Sequence, residues 1–217
     1  MNNSWTNTFF NRLYLELFLL KTPAINKRDF NQISPYLKGN IIDIGCGAGV
    51  LTNEITLNGY NCLGIDKTPY FIEYAQQNMK GEFICKDYHN IDYTDAFDTA
   101  ICWHSSLGYG GNDQQVIDSI YNSLKPGGCF IFECPEFDLN IRDDIQHING
   151  WTITRTSTWI KQYRFQTWKY VKDDITYEYN TRMYFYRDDE LRIMFKKFQV
   201  QLIKHRKYRS LWICTKT

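Results

Sequence analysis

A short apolar run, Ile41-Ile42-Asp43-Ile44, leads into three alternating glycines, Gly45, Gly47 and Gly49, and then directly into a helix-patterned segment from Val50 to Leu57. Strand, tight turn and helix in that order form the opening half of a βαβ unit, where glycine lets the backbone come close to a ligand. The alternation continues downstream. A strand is expected at Cys62 to Ile65, a helix at Tyr70 to Met79, a strand at Glu82 to Cys85, a strand at Thr99 to Trp103, a helix at Gln114 to Leu124 and a strand at Cys129 to Glu133. Such alternation predicts an α/β fold with a doubly wound parallel sheet.

Both ends of this unit carry additions. Trp5, Phe9, Leu13, Leu17 and Leu20 fall at helical spacing and predict one amphipathic helix over 5–20, followed by a second near Lys27 to Leu37. Together these make an N-terminal helical cap, residues 1–37. After Cys134-Pro135 a polar stretch to Gly150 reads as a loop or short irregular helix. Residues 151–187 then mix many aromatics with β-branched and polar residues in partial period-2 alternation, which predicts an antiparallel insertion, 136–187 overall. A helix from Asp188 and two last strands, near Gln199 to Lys204 and Tyr208 to Thr215, close the chain. With 217 residues the whole is expected to be one domain, 1–217.

Basic and acidic residues nearly cancel, 25 against 24, so no global field favours nucleic acid or an anionic membrane. The apolar stretch Leu13 to Leu20 contains Glu16 and is too short to span a bilayer. Seven cysteines without a CxxC pair read as free, mostly buried thiols, from which a cytoplasmic location is expected. No metal site is expected.

The glycine loop suits a nucleotide-like ligand. A dinucleotide fingerprint would need glycine where Val50 stands, and a P-loop would need Gly-Lys-Ser/Thr, so neither phosphate motif is present. Asp66 stands at the end of the second strand, 21 residues after Gly45, where a carboxylate can accept from both ribose hydroxyls. The Asp-x-Gly-x-Gly-x-Gly arrangement from Asp43 resembles motif I of the class I S-adenosylmethionine-dependent methyltransferases. Leu57 to Asp66, Ala96 to Ala100 and Leu124-Lys125-Pro126-Gly127-Gly128 are similar to successive blocks of that superfamily, in order and spacing.

The resemblance implies a Rossmann-like seven-stranded sheet of order 3-2-1-4-5-7-6 with the last strand antiparallel. It also implies S-adenosyl-L-methionine as cofactor and S-adenosyl-L-homocysteine as product. Asp43, Gly45, Cys46, Gly47 and Gly49 would line the cofactor loop. Asp66 and Lys67 would serve the ribose, Asp87 the adenine amino group and Tyr88 the ring, with Trp103 and Tyr14 nearer the sulfur.

Methyl transfer asks a protein to align an acceptor, exclude water and, for a hydroxyl, remove a proton. The loop after the fourth strand, Cys102-Trp103-His104-Ser105-Ser106-Leu107-Gly108-Tyr109-Gly110, lies where ligands of such sheets bind. It lacks the Asn/Asp-Pro-Pro-Tyr signature of amino-methylating DNA enzymes, and its Ser-Ser-Leu-Gly-Tyr run resembles small-molecule methyltransferases, including aminosugar N-methylating enzymes, that carry a β insertion after strand 5. His104 is the expected general base or acceptor-orienting group, and Tyr109 a group that could orient an acceptor hydroxyl or amine. Glu133 and Glu136 are candidates to pair with a cationic amine, and the aromatic insertion is either a roof over the acceptor or a homodimer surface. Lys204-His205-Arg206-Lys207 with Arg209 reads as a solvated turn. The partner expected is a small-molecule acceptor, to be N- or O-methylated. The alternatives are an RNA or protein methyltransferase, or a cofactor-binding subunit without turnover.

Overall fold

The computed structural model describes residues 4–19, 23–104, 106–109, 113–136, 143–206 and 209–217. Seven strands form the main sheet: β1 (Asn40–Ile44), β2 (Asn61–Asp66), β3 (Glu82–Cys85), β4 (Phe97–Cys102), β5 (Leu124–Pro135), β10 (Phe198–Arg206) and β11 (Arg209–Lys216). Their order is β10-β11-β5-β4-β1-β2-β3. β1 to β5 pair in parallel, whereas β11 runs antiparallel to both β5 and β10. Numbering the terminal hairpin as strands 6 and 7 gives the order 3-2-1-4-5-7-6 with the last strand antiparallel.

Apolar residues are continuous along these strands because helices cover both faces. Ile41, Ile101, Ile131 and Ile213 point to one face and bury against Phe30 and Ile33 of α3 (Pro23–Ile33) and Ile55 of α4 (Val50–Leu57). Ile42, Ala100, Phe130 and Trp212 point to the other, against Val116 and Ile120 of α6 (Asp113–Ser123) and Leu191 of α7 (Asp188–Met194). α5 (Pro69–Asn78) buries Ile72 and Ala75 against Phe83.

The N-terminal segment is not one helix. It is broken into α1 (Ser4–Phe9), α2 (Arg12–Tyr14) and a π-helical turn, Leu15–Leu19. Asn11 makes the break: its extended backbone caps α2, its side chain accepting from the Tyr14 N–H at 3.1 Å and donating to the Thr8 carbonyl at 2.8 Å. The next helix begins earlier than expected, at Pro23, and ends in a 3-10 turn, Ser34–Tyr36.

A second sheet of four antiparallel strands follows β5: β6 (Asp144–Ile148), β7 (Trp151–Ile160), β8 (Tyr163–Lys172) and β9 (Ile175–Tyr184). The expectation of a loop up to Gly150 is therefore corrected, since 144–148 is a strand paired with β7. The hairpin between them turns at Asn149 and Gly150, both at positive φ, 51° and 80°, as a two-residue primed turn requires. One face of this sheet buries Ile153, Trp168 and Tyr170 against Phe9 and Leu17, so the N-terminal helices lie between the insertion and the main sheet's crevice. Among the described residues no helix is long and apolar enough to cross a membrane. Five cysteines are buried, while Cys85 is exposed and Cys46 half-buried.

Candidate functional site

The carboxyl ends of β1, β2 and β4 open onto a cavity of about 480 Å3. Its floor is the loop after β1, where Gly45, Gly47 and Gly49 have φ of 71°, 55° and 75°, values that L side chains rarely adopt. A Cβ on Gly45 would sit 2.4 Å from the Ser106 hydroxyl, and one on Gly47 would point toward Leu19 across the crevice at 3.4 Å. The loop is fixed by the Gly45 and Cys46 N–H groups, which both donate to the Ile65 carbonyl at 2.8 and 3.0 Å.

Asp66 accepts from the Gly47 N–H at 3.0 Å through one oxygen and from the Thr68 N–H at 2.8 Å through the other. Each oxygen keeps a further lone pair, so the carboxylate can still take two donors from a ligand. Burial pushes its carboxyl upward against the pull of Thr68, Gly47 and Lys67. A desolvated acceptor of this kind is stabilised by donors brought in from the cavity. Asp43 lies under the loop, buried, accepting from the Thr52 hydroxyl at 2.7 Å, and burial raises its carboxyl to about 6.

Lys67 donates to the Thr6 hydroxyl at 2.7 Å and so ties α1 to the end of β2. Tyr88 lines the cavity and donates to the Ser106 carbonyl at 3.3 Å. Phe10, Tyr14, Phe18 and Leu19 of the N-terminal segment line the opposite side. Tyr14 and Tyr109 are both held protonated by burial, well above the ordinary phenol range for Tyr14. Tyr109 packs edge-on against Trp5 and Phe10, with centroids 5.6 and 5.9 Å apart.

His104 stands at the end of β4 with φ at 54° and its imidazole half exposed toward the cavity. Its Nε2 is 2.7 Å from Asp29 Oδ2, its backbone N–H donates to Glu133 Oε2 at 3.2 Å, and its Nδ1 is 3.7 Å from the same oxygen. Both carboxylates are buried. Arg209 grips Glu133 through two bonds, 2.7 and 2.6 Å. Glu133 is therefore engaged by Arg209 and His104 and does not stand ready for an amine substrate. Glu136 accepts from Ser210 at 3.0 Å.

Eleven of the thirteen residues expected at the site, all except Gly49 and Asp87, line this one cavity. Gly49 supports it from behind, since a Cβ there would strike Phe83 at 2.4 Å. Asp87 accepts from the His89 backbone and ring at 2.9 and 2.7 Å; burial raises its carboxyl, but these bonds outweigh it and hold it below the usual range. Asp29 was not foreseen, because nothing local in α3 marks it and its partner is 75 residues away. Of the basic cluster, Lys207 and the side chains of 204–206 lie outside the described residues, while Arg209 turns inward to Glu133. Among the described residues no group of three metal-ligating side chains forms.

A ligand with two vicinal hydroxyls, a flat ring and a cationic end fits these donors and acceptors: Asp66 for the hydroxyls, Tyr88 for the ring, the glycine cradle for close approach and Asp43 for positive charge. Residues 41–128 match a family model described as a methyltransferase domain. The chain is 30% identical over 110 residues to a ubiquinone biosynthesis O-methyltransferase of Rickettsia prowazekii (strain Madrid E), covering 48% of this chain and 42% of that protein. It thus spans less than half the length of the curated relatives it matches. A solved S-adenosylmethionine-dependent methyltransferase from Clostridium acetobutylicum ATCC 824 superposes with a TM-score of 0.76 at 16% identity, over 96% of this chain and 98% of that one. CalS10, an amino pentose methyltransferase from Micromonospora echinaspora solved with S-adenosylmethionine bound, gives 0.69 at 18% identity, over 89% of each chain. Residues 41–128 are thus similar to a methyltransferase domain, and the chain shares the class I, Rossmann-like fold of solved S-adenosylmethionine-dependent methyltransferases.

Proposed function

We propose that this chain is an S-adenosylmethionine-dependent methyltransferase that methylates nitrogen or oxygen of a small-molecule acceptor. The observation that carries this is a single cavity lined at one end by the glycine loop and Asp66, and at the other by His104 held between two buried carboxylates. When bound, S-adenosylmethionine supplies a methyl group on an electron-poor sulfur, open to in-line attack by an acceptor lone pair.

The protein's own part is positioning and proton handling. Asp66 receives the ribose hydroxyls and Tyr88 covers the ring. His104 donates Nε2–H to Asp29, which leaves Nδ1 as the basic nitrogen. A proton taken there from the acceptor creates an imidazolium that lies between Asp29 and Glu133. Tyr109, protonated and facing the same space, orients the acceptor. Phe10, Tyr14 and Phe18 keep water from the reacting end.

Isothermal titration of the pure chain with S-adenosylhomocysteine tests the cofactor half of this reading. Binding is expected, and Asp66→Ala should weaken it by roughly 10- to 100-fold, the loss of charge-assisted hydrogen bonds. Folded wild-type protein that shows no binding would sink the proposal.

A further inference from the structure

Arg164 has Tyr109 and two further arginines, Arg155 and Arg209, within electrostatic range, and the three arginines are not equivalent. Arg155 on β7 is paired through two bonds with Asp144, the longer at 2.5 Å. Arg209 on β11 is paired with Glu133. Arg164 on β8 makes no hydrogen bond or ion pair with any described residue, and its Nε is out of solvent without a partner. Its one specific contact is a cation–π contact, the guanidinium carbon 4.7 Å from the Phe185 ring centroid.

Alternation along β8 puts Arg164 on the same face as Gln166, Trp168 and Tyr170, all buried, so it belongs to the side of the insertion turned toward the main sheet. In register it stands opposite Met183 of β9. Gly108 packs against that point: its carbonyl accepts from the Tyr184 N–H at 2.9 Å, and a Cβ on it would lie 3.6 Å from the Met183 side chain. Tyr109, the next residue, lines the cofactor cavity. Arg164 does not itself line the cavity, but its guanidinium is close enough to Tyr109 for the two side chains to interact electrostatically. Phe185 contacts the guanidinium without satisfying any of its N–H donors.

An unpaired, partly desolvated cation next to two others costs stability. Burial lowers the affinity of Arg164 for its proton; Tyr109 opposes this and Arg155 and Arg209 add to it. A planar fork of donors in this setting matches a carboxylate or phosphate bidentately.

We propose that Arg164 anchors an anionic group, carboxylate or phosphate, carried by the methyl acceptor. This rests on the methyltransferase reading and adds the charge of the substrate to it. The excess positive charge on this face of the insertion then selects acceptors by their anion, while His104 deals with the nucleophile.

The full chain saturated with S-adenosylhomocysteine would be titrated with inorganic phosphate, pyrophosphate and benzoate as probes. At least one is expected to bind, with its identity separating phosphate from carboxylate recognition. Arg164→Gln should weaken that probe about tenfold or more and leave S-adenosylhomocysteine affinity unchanged. Arg164→Lys, which keeps the charge and loses the fork, should fall between, and it replaces the glutamine variant if that one fails to fold. Absence of probe binding to the wild-type complex overturns the inference, as does equal affinity in the variants. Failure of the wild type to bind S-adenosylhomocysteine instead overturns the methyltransferase reading, and this inference with it.

Discussion

Asp43 sits beneath the glycine loop with one hydroxyl partner and no solvent, and its carboxyl is raised to about 6 by burial. The folded state therefore holds a proton that the unfolded chain releases near its ordinary value. Stability from this group is complete below the ordinary carboxylate range and is lost as pH rises through about 6. Thermal melts of the ligand-free protein should fall between about pH 4 and 6.5, and Asp43→Asn, which still accepts from Thr52, should flatten that slope. An unchanged slope in the variant would refute the assignment. His104 makes a second prediction: its replacement by Ala should lower kcat by about 10²- to 10⁴-fold, the usual worth of a general base. Asp29→Asn, acting through His104, should lower kcat less and shift the acidic limb of the pH profile, with S-adenosylhomocysteine affinity preserved in both. At this scale the sequence exposed Asp43, Asp66 and His104, because each lies at or near the carboxyl end of a recognisable strand. Asp29 was hidden because its role exists only through a contact across the fold.

Elements were legible wherever the hydrophobic period was clean. β1, α4, β2, α5, β3, β4 and α6 lie within two residues of expectation. The N-terminal segment misled because its helical spacing is real while Asn11 caps a new helix in the middle of it, bonding also to the Tyr179 hydroxyl at 3.0 Å. β6 was overlooked as a polar edge strand, although Asn149-Gly150 is itself a hairpin signal and implies a strand before it. The contact between the loop after β4 and β9 carries a third prediction. Gly108 has φ of 94°, and a Cβ there would come within 2.5 Å of the Tyr184 carbonyl oxygen. Gly108→Ala should cost about 1–3 kcal/mol in urea unfolding. It should also raise KM for the acceptor more than that for the cofactor, since the clash lies between Tyr109 and the insertion.

The whole molecule consists of a doubly wound sheet whose crevice is covered by N-terminal helices, which are in turn pressed against the insertion by Phe9, Phe18, Trp168 and Tyr170. Strand order followed from the family resemblance, but nothing in the sequence told that the cap would be sandwiched in this way. Its described polar ties across the crevice are few: Lys67 to Thr6 at 2.7 Å and Asn11 to Tyr179 at 3.0 Å. Under the proposed function this covering is a door that has to open for ligands to enter and leave, against the apolar contacts of Phe9, Leu15 and Leu17 as well as these two bonds. The speed of the enzyme should then be governed by traffic through that door rather than by bond-making. Turnover measured in rising sucrose should slow in proportion to viscosity, and Thr6→Val, which removes the latch, should weaken that dependence; a rate indifferent to viscosity would show that the door is not what the cycle waits for.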